Sequence, residues 1–237
     1  MSIPELQQPA GTESPQGLGS PVKIALVLYP GFTALDIIGP FQVLAYIPGH
    51  EAVFVAAQPG PVTDDTGRCP LIASTSLDQF TAPDVVIIGG SLFTKEPDQP
   101  AVQWLRQVHP TTTWTTSVCT GSIYLAAAGI LHGQDAATHW AWAEQLERRG
   151  AHYTEQRVVE RGKVITAAGV SSGIDMALTL LGAHVRPAAR RGCPARHRIR
   201  PSAPLRHRFN VESSSRDRGV RTVAAEHARS ADATGRH

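Results

Sequence analysis

Apolar positions along this chain fall into two kinds of run. Val22–Leu28 (VKIALVL) is apolar but for one lysine, which predicts a strand buried on both faces. Tyr29-Pro30-Gly31 breaks it. Thr33–Ile47 then carries Leu35, Ile38, Val43, Leu44 and Ile47 at helical spacing. Gly39-Pro40 lies early in that segment, so the helix either begins at Pro40 or kinks there, and Pro48-Gly49 ends it. Glu51–Ala57 reads as a second strand and Asp64–Ile72 as a turn or hairpin. Asp84–Ile88 reads as a third core strand that stops at Gly89-Gly90. Pro100–Val108 has Val102, Leu105 and Val108 on one helical face. Thr112–Val118 is rich in strand formers. Gly121–Ala128 and Trp140–Arg149 predict helices, closed by Gly129 and Gly150. Val158–Val159 and Val164–Ala167 read as a strand pair around Arg161-Gly162. Ser172–Val185 reads as a last amphipathic helix, with Ser172 and Asp175 spaced as in a capping box.

Strands that alternate with helices predict an α/β fold: a doubly wound, mostly parallel sheet flanked by helices. Ligands bind such sheets at the carboxyl ends of the strands. Three predicted strand ends carry candidate chemistry: the loop leading to Asp36, Gly89-Gly90, and Cys119.

Composition changes the picture in two places. Apolar residues make up 42% of the 237, enough for a buried core rather than a disordered chain. No run of about 18 apolar residues occurs, so no membrane span is expected. Residues 1–20 are rich in Pro, Gly, Gln and Ser and lack a basic start and an apolar run. They read as a flexible leader and not a secretory signal, and the protein as cytoplasmic. The net charge of +2 hides an asymmetry: residues 1–185 hold 9 Lys and Arg against 16 acids, whereas residues 186–237 hold 13 Arg against 4 acids. The chain therefore divides into a leader (1–20), an α/β domain (21–185) and a basic tail (186–237). Three cysteines, Cys69, Cys119 and Cys193, with no Cys-x-x-Cys pair, predict neither a disulfide framework nor a structural zinc site.

The strongest chemical signal is Ser117-Val118-Cys119-Thr120-Gly121-Ser122. A strand enters a cysteine and a helix leaves at once through small residues, the arrangement of a nucleophile elbow. A helix N-terminus beside the sulfur favours thiolate and would lower a thiol pKa of about 8.5. The competing reading of Cys119 is a small buried hydrophobe. Gly89-Gly90 is either an ordinary turn or a place where backbone N–H groups approach a substrate. Asp36, between Leu35 and Ile37-Ile38, is either an N-cap or a carboxylate with a function. His139 is either a general base or a structural hydrogen-bonder.

Five motifs in this order resemble the ThiJ/PfpI superfamily and, within it, the isonitrile hydratases: Tyr29 to Leu44 (YPGFTALDIIGPFQVL), Ile87-Ile88-Gly89-Gly90, Ser117 to Ser122, Ala137-Thr138-His139-Trp140, and Gly169 to Asp175 (GVSSGID). The resemblance covers about Val22 to Val185. It implies a flavodoxin-like, class I glutamine amidotransferase-like fold. It also implies a small-molecule substrate, a homodimer, and no metal or organic cofactor. Cys119 is then the nucleophile and Asp36 the proton carrier, with Thr120 orienting water or Asp36. Gly89, Gly90, Gly121 and His139 line the substrate. The implied reaction hydrates an isonitrile to an N-substituted formamide. The same domain is similar to the sensor half of AraC-type regulators; no helix-turn-helix domain follows in this chain, which disfavours that reading. Redox-sensing and deglycase members usually carry Glu where Asp36 stands, and PfpI-type peptidases carry His where Thr120 stands.

The tail departs from the family. One permitted set of codons for Cys193–His207, read from its second base, gives Val-Gln-Leu-Gly-Ile-Glu-Tyr-Asp-Pro-Ala-Pro-Pro-Phe-Asp, similar to the family's closing segment. This predicts a frameshift between about Leu181 and Cys193 and a disordered replacement tail. Nucleic-acid binding by the tail is the disfavoured alternative, since its aromatic content is Phe209 alone.

Overall fold

A computed structural model describes residues 21–45, 47, 49–91 and 96–183. The predicted leader and basic tail lie outside the described residues.

In chain order the elements are β1 (Val22–Val27), α1 (Ala34–Leu44), β2 (His50–Ala56), β3 (Gly60–Thr63), β4 (Pro70–Ala73), β5 (Thr75–Ser76), β6 (Val85–Ile88), α2 (Gln99–Val108), β7 (Trp114–Val118), α3 (Gly121–Ala127), β8 (Asp135–Ala136), α4 (Ala143–Glu147), β9 (His152–Tyr153), β10 (Val158–Arg161), β11 (Val164–Ala167) and α5 (Ser172–Ala183). A 3₁₀ turn, Trp140–Trp142, precedes α4. Seven strands form the main sheet in the order β10-β11-β7-β6-β1-β2-β5. Every pairing in it is parallel except β10 with β11, the hairpin turned at Gly162. β1 pairs with β6 on one side and β2 on the other, so the strand order reverses between β1 and β6. The crevice at that reversal is where an open α/β sheet takes its ligand.

The uninterrupted apolar runs account for the central strands. Ile24–Leu28, Val85–Ile88 and Val164–Ala167 are buried throughout, as strands covered on both faces must be. Threonines on β7 are buried too, and Thr116 satisfies its hydroxyl by donating to the Val86 carbonyl at 2.9 Å.

Of the two readings of Pro40, a helix start there is excluded: α1 starts at Ala34, runs through Pro40 and packs against α5. Proline inside a helix forfeits the bond to the carbonyl four residues back. Two details depart from the sequence reading. The predicted helix Trp140–Arg149 is split into the 3₁₀ turn and a short α4. Ser172 and Asp175 form no capping box: Ser172 donates to Gly169 O at 3.1 Å, and Asp175 pairs with Arg157. The short strands β5, β8 and β9 carry too few residues to show a period.

Lys163 illustrates how the fold closes an exposed helix end. Its Nζ donates to the carbonyls of His109, Pro110 (3.1 Å) and Thr112 (3.2 Å), covering the C-terminal end of α2. Lys163→Met should therefore lose about 1–3 kcal/mol in chemical denaturation while leaving the Cys119 chemistry unchanged.

Candidate active site

Three loops at the carboxyl ends of β1, β6 and β7 meet at one point, and they bring together Asp36 in the first turn of α1, Gly89-Gly90 and Cys119. Cys119 sits between β7 and α3 with φ 58°, and Val170, in the loop before α5, has φ 33°. Both are side-chain-bearing residues in the left-handed region, a strain that costs on the order of 1–3 kcal/mol each. The elbow is pinned in that geometry. Cys119 N–H donates to Ala167 O (3.0 Å) and Ala168 O (2.9 Å). Its carbonyl accepts from the hydroxyls of Ser122 and Thr138, each at 3.2 Å.

Asp36 is the third residue of α1 and fully buried. It is not the helix cap, since Thr33 holds that position. Instead its Oδ2 accepts the Gly90 N–H at 2.8 Å across two loops. Its Oδ1 finds no partner of good hydrogen-bond geometry, and the neighbouring donor is the Cys119 thiol, with which the carboxyl can share a proton. Burial pushes the Asp36 carboxyl up to about 7, against the pull of the Gly90 N–H and the thiol; the Asp65 carboxylate adds to the rise.

The thiol behaves contrary to the sequence expectation. Burial, and then the Asp36 charge, push Cys119 up to about 12; the Val170 and Thr120 N–H groups that face the sulfur only partly offset this. The helix N-terminus is present, but a sulfur with no solvent exposure beside a carboxylate pays more in lost hydration than the dipole returns.

The glycines have a packing role. A Cβ on Gly90 would stand 2.4 Å from both N and Oγ1 of Thr120, and one on Gly121 would stand 2.3 Å from Ile88 O. A Cβ on Gly89 would stand 2.8 Å from Asp36 Cβ. The three loops therefore interlock at van der Waals distance only because these positions lack side chains. The Gly90 N–H is occupied by Asp36, so the expectation that it steadies substrate charge is replaced by one in which it orients the carboxylate. The Thr120 hydroxyl accepts from Ser91 N (2.7 Å) and donates to Ser91 O (2.9 Å), bolting the elbow to the β6 loop. The groups facing the sulfur are the backbone N–H of Thr120 and of Val170.

His139 caps the 3₁₀ turn, its Nδ1 accepting from Ala141 N at 3.3 Å, and its ring lies against Gly169 and Trp140. Trp142 joins Ser91, Pro97, Thr120, Ile123 and Tyr124 around a recess beside the elbow, while Trp140 is 65% exposed. Tyr29 and Tyr124, not singled out from sequence, stack at 4.5 Å near the thiol–carboxyl pair, and Tyr29 donates to Gly89 O at 2.8 Å. Among the described residues no group of three His, Cys, Asp or Glu is placed to hold a metal ion, and no helix is long and apolar enough to cross a membrane.

A strained cysteine elbow on a doubly wound sheet, facing a buried acid from the first turn of α1, defines the class. Residues 22–183 match the DJ-1/PfpI family, and the chain belongs to it. It is 36% identical over 161 residues to an isonitrile hydratase of Pseudomonas putida, covering 67% of this chain and 70% of that protein. A ThiJ/PfpI family protein from Pseudomonas syringae has the same fold, with a TM-score of 0.65 and 30% identity over 76% of this chain and 75% of that one. The transcriptional regulator CdhR of Pseudomonas aeruginosa is 26% identical over 65% of this chain and 48% of its own length.

The Asp36 shift has a consequence for stability. The carboxyl titrates near 3.8 unfolded and about 7 folded, so stability is lost as pH rises from about 4 to about 7, by on the order of 4 kcal/mol. Asp36→Asn keeps an acceptor for Gly90 and removes the charge. Its stability relative to wild type should therefore rise between pH 5 and pH 8 in urea melts. A constant difference across that range would show that Asp36 is ionised normally.

Proposed function

We propose that this protein is an enzyme that hydrates isonitriles to N-substituted formamides, with Cys119 as nucleophile and Asp36 as the single proton carrier. The observation that carries the reading is the buried thiol beside a buried carboxyl of raised pKa, which together hold two protons below about pH 7 and one above it. Similarity to the Pseudomonas putida isonitrile hydratase supports the substrate class.

The terminal carbon of an isonitrile becomes electrophilic as it accepts a proton. The shared proton moves from the Cys119–Asp36 pair to that carbon while the sulfur bonds to it, giving an enzyme-bound thioimidate and leaving Asp36 ionised. Asp36 then takes a proton from water as its oxygen adds to the same carbon, and passes that proton to nitrogen. Collapse of the adduct breaks the carbon–sulfur bond, returns the hydroxyl proton to the thiol–carboxyl pair and releases the formamide. Substrate and water are consumed in equal number, and no metal or organic cofactor enters. The Thr120 and Val170 N–H groups steady charge on sulfur as it arrives and leaves. We further propose a cytoplasmic homodimer acting on a small neutral substrate.

A second reading, a small-molecule sensor domain, is favoured by the similarity to CdhR. It predicts binding without turnover.

Incubation with a ¹³C-labelled small isonitrile should yield the formamide by NMR. Cys119→Ala should abolish turnover and Asp36→Asn should lower it about 10²–10⁴-fold, with both variants folded. The rate should rise with pH through about 7, as the second proton leaves the pair. Absence of formamide from the wild-type protein, with saturable binding, would decide for the sensor.

A further inference from the structure

The β3–β4 hairpin, outside every motif considered above, is tied to the loop that leads into α1 and Asp36. Phe32 and Asp64 form a parallel bridge. Gly31 N–H donates to Thr63 O (2.9 Å) and Asp65 N–H donates to Phe32 O (2.9 Å). Thr33 follows, with its N–H on Gly90 O at 2.7 Å. Its hydroxyl donates to Asp65 Oδ2 at 2.6 Å.

That last bond runs against local preference. Thr33 is the N-cap of α1, and an N-cap hydroxyl ordinarily accepts from the second or third N–H of its own helix, worth about 1 kcal/mol. The third residue of α1 is Asp36 itself. Here the Thr33 side chain makes no cap bond. A helix that surrenders its cap to a carboxylate on another element has that carboxylate as a determinant of where its first turn lies.

We propose that Asp65 is a positioning residue for Asp36: through Thr33 it holds the loop that presents Asp36 to Cys119, and it stands as a fixed negative charge beside that carboxyl. The ionisable groups that act on Asp36 come from three sides: Cys119 on the elbow, Tyr29 at the end of β1, and Asp65 on the hairpin. The Asp65 carboxylate favours retention of the Asp36 proton, and so helps set the pH at which the thiol–carboxyl pair drops to one proton. The role in turnover rests on the isonitrile reading; the control of Asp36 does not.

Two readouts separate these. ¹³C NMR of carboxyl-labelled protein reads the Asp36 titration directly, with Asp36→Asn used to assign the resonance. Asp65→Asn keeps an acceptor for Thr33 and removes the charge. Its Asp36 midpoint should fall below the wild-type value, and the acid limb of the pH profile of kcat should move to lower pH by the same amount. Thr33→Val breaks the tie and should lower kcat about tenfold with KM within about twofold, and Thr33→Ser should restore it. An Asp36 midpoint in Asp65→Asn that coincides with wild type, or a wild-type kcat in Thr33→Val, overturns the proposal. If the wild-type protein turns over no isonitrile, the NMR titration still decides whether Asp65 controls Asp36.

Discussion

The site depends on one costly arrangement: a carboxyl and a thiol, both stripped of water, placed face to face. Either group alone would resist ionising in such a setting, and side by side each opposes a charge on the other. The pair therefore keeps a proton between them at a pH where exposed groups of the same kinds would be respectively ionised and partly ionised. That shared proton is the reagent the proposed addition to an isonitrile carbon would use.

Holding such a pair requires rigid neighbours, and the three loops supply them by direct contact. Gly90 presses on Thr120, Gly89 on Asp36, and Gly121 on the Ile88 carbonyl. The bonds from Gly90 to Asp36 and between Thr120 and Ser91 then fix each loop to the next. Backbone strain at Cys119 and Val170 is sustained by the same framework. The fold's part is to bring the ends of β1, β6 and β7 together where the strand order reverses.

Much of this was legible in the sequence. Continuous apolar runs marked β1 and β6, a strand pair around Arg161-Gly162 marked β10 and β11, and the strand-cysteine-helix junction marked the elbow. Motif order also pointed to Asp36 and Gly89-Gly90. What sequence could not supply was direction. Gly90 N–H points at Asp36, and Thr120 Oγ1 points at Ser91; nothing in residue type distinguishes these from a donor facing substrate. The helix dipole argued for a reactive thiolate, but burial is a property of the whole packed loop cluster and it outweighed the dipole. Val170 and Asp65 were missed because backbone N–H groups leave no sequence signal, and because the hairpin meets the Asp36 loop only in three dimensions.

The account is tested most directly by titrating the Cys119 thiol. In protein with the other cysteines replaced by serine, the thiolate absorbance in the ultraviolet should stay flat through neutral pH and rise only toward about 12. Asp36→Asn should bring that midpoint down by removing the neighbouring charge. A thiolate already formed at pH 7, or a midpoint indifferent to Asp36, would contradict a proton held between the two groups.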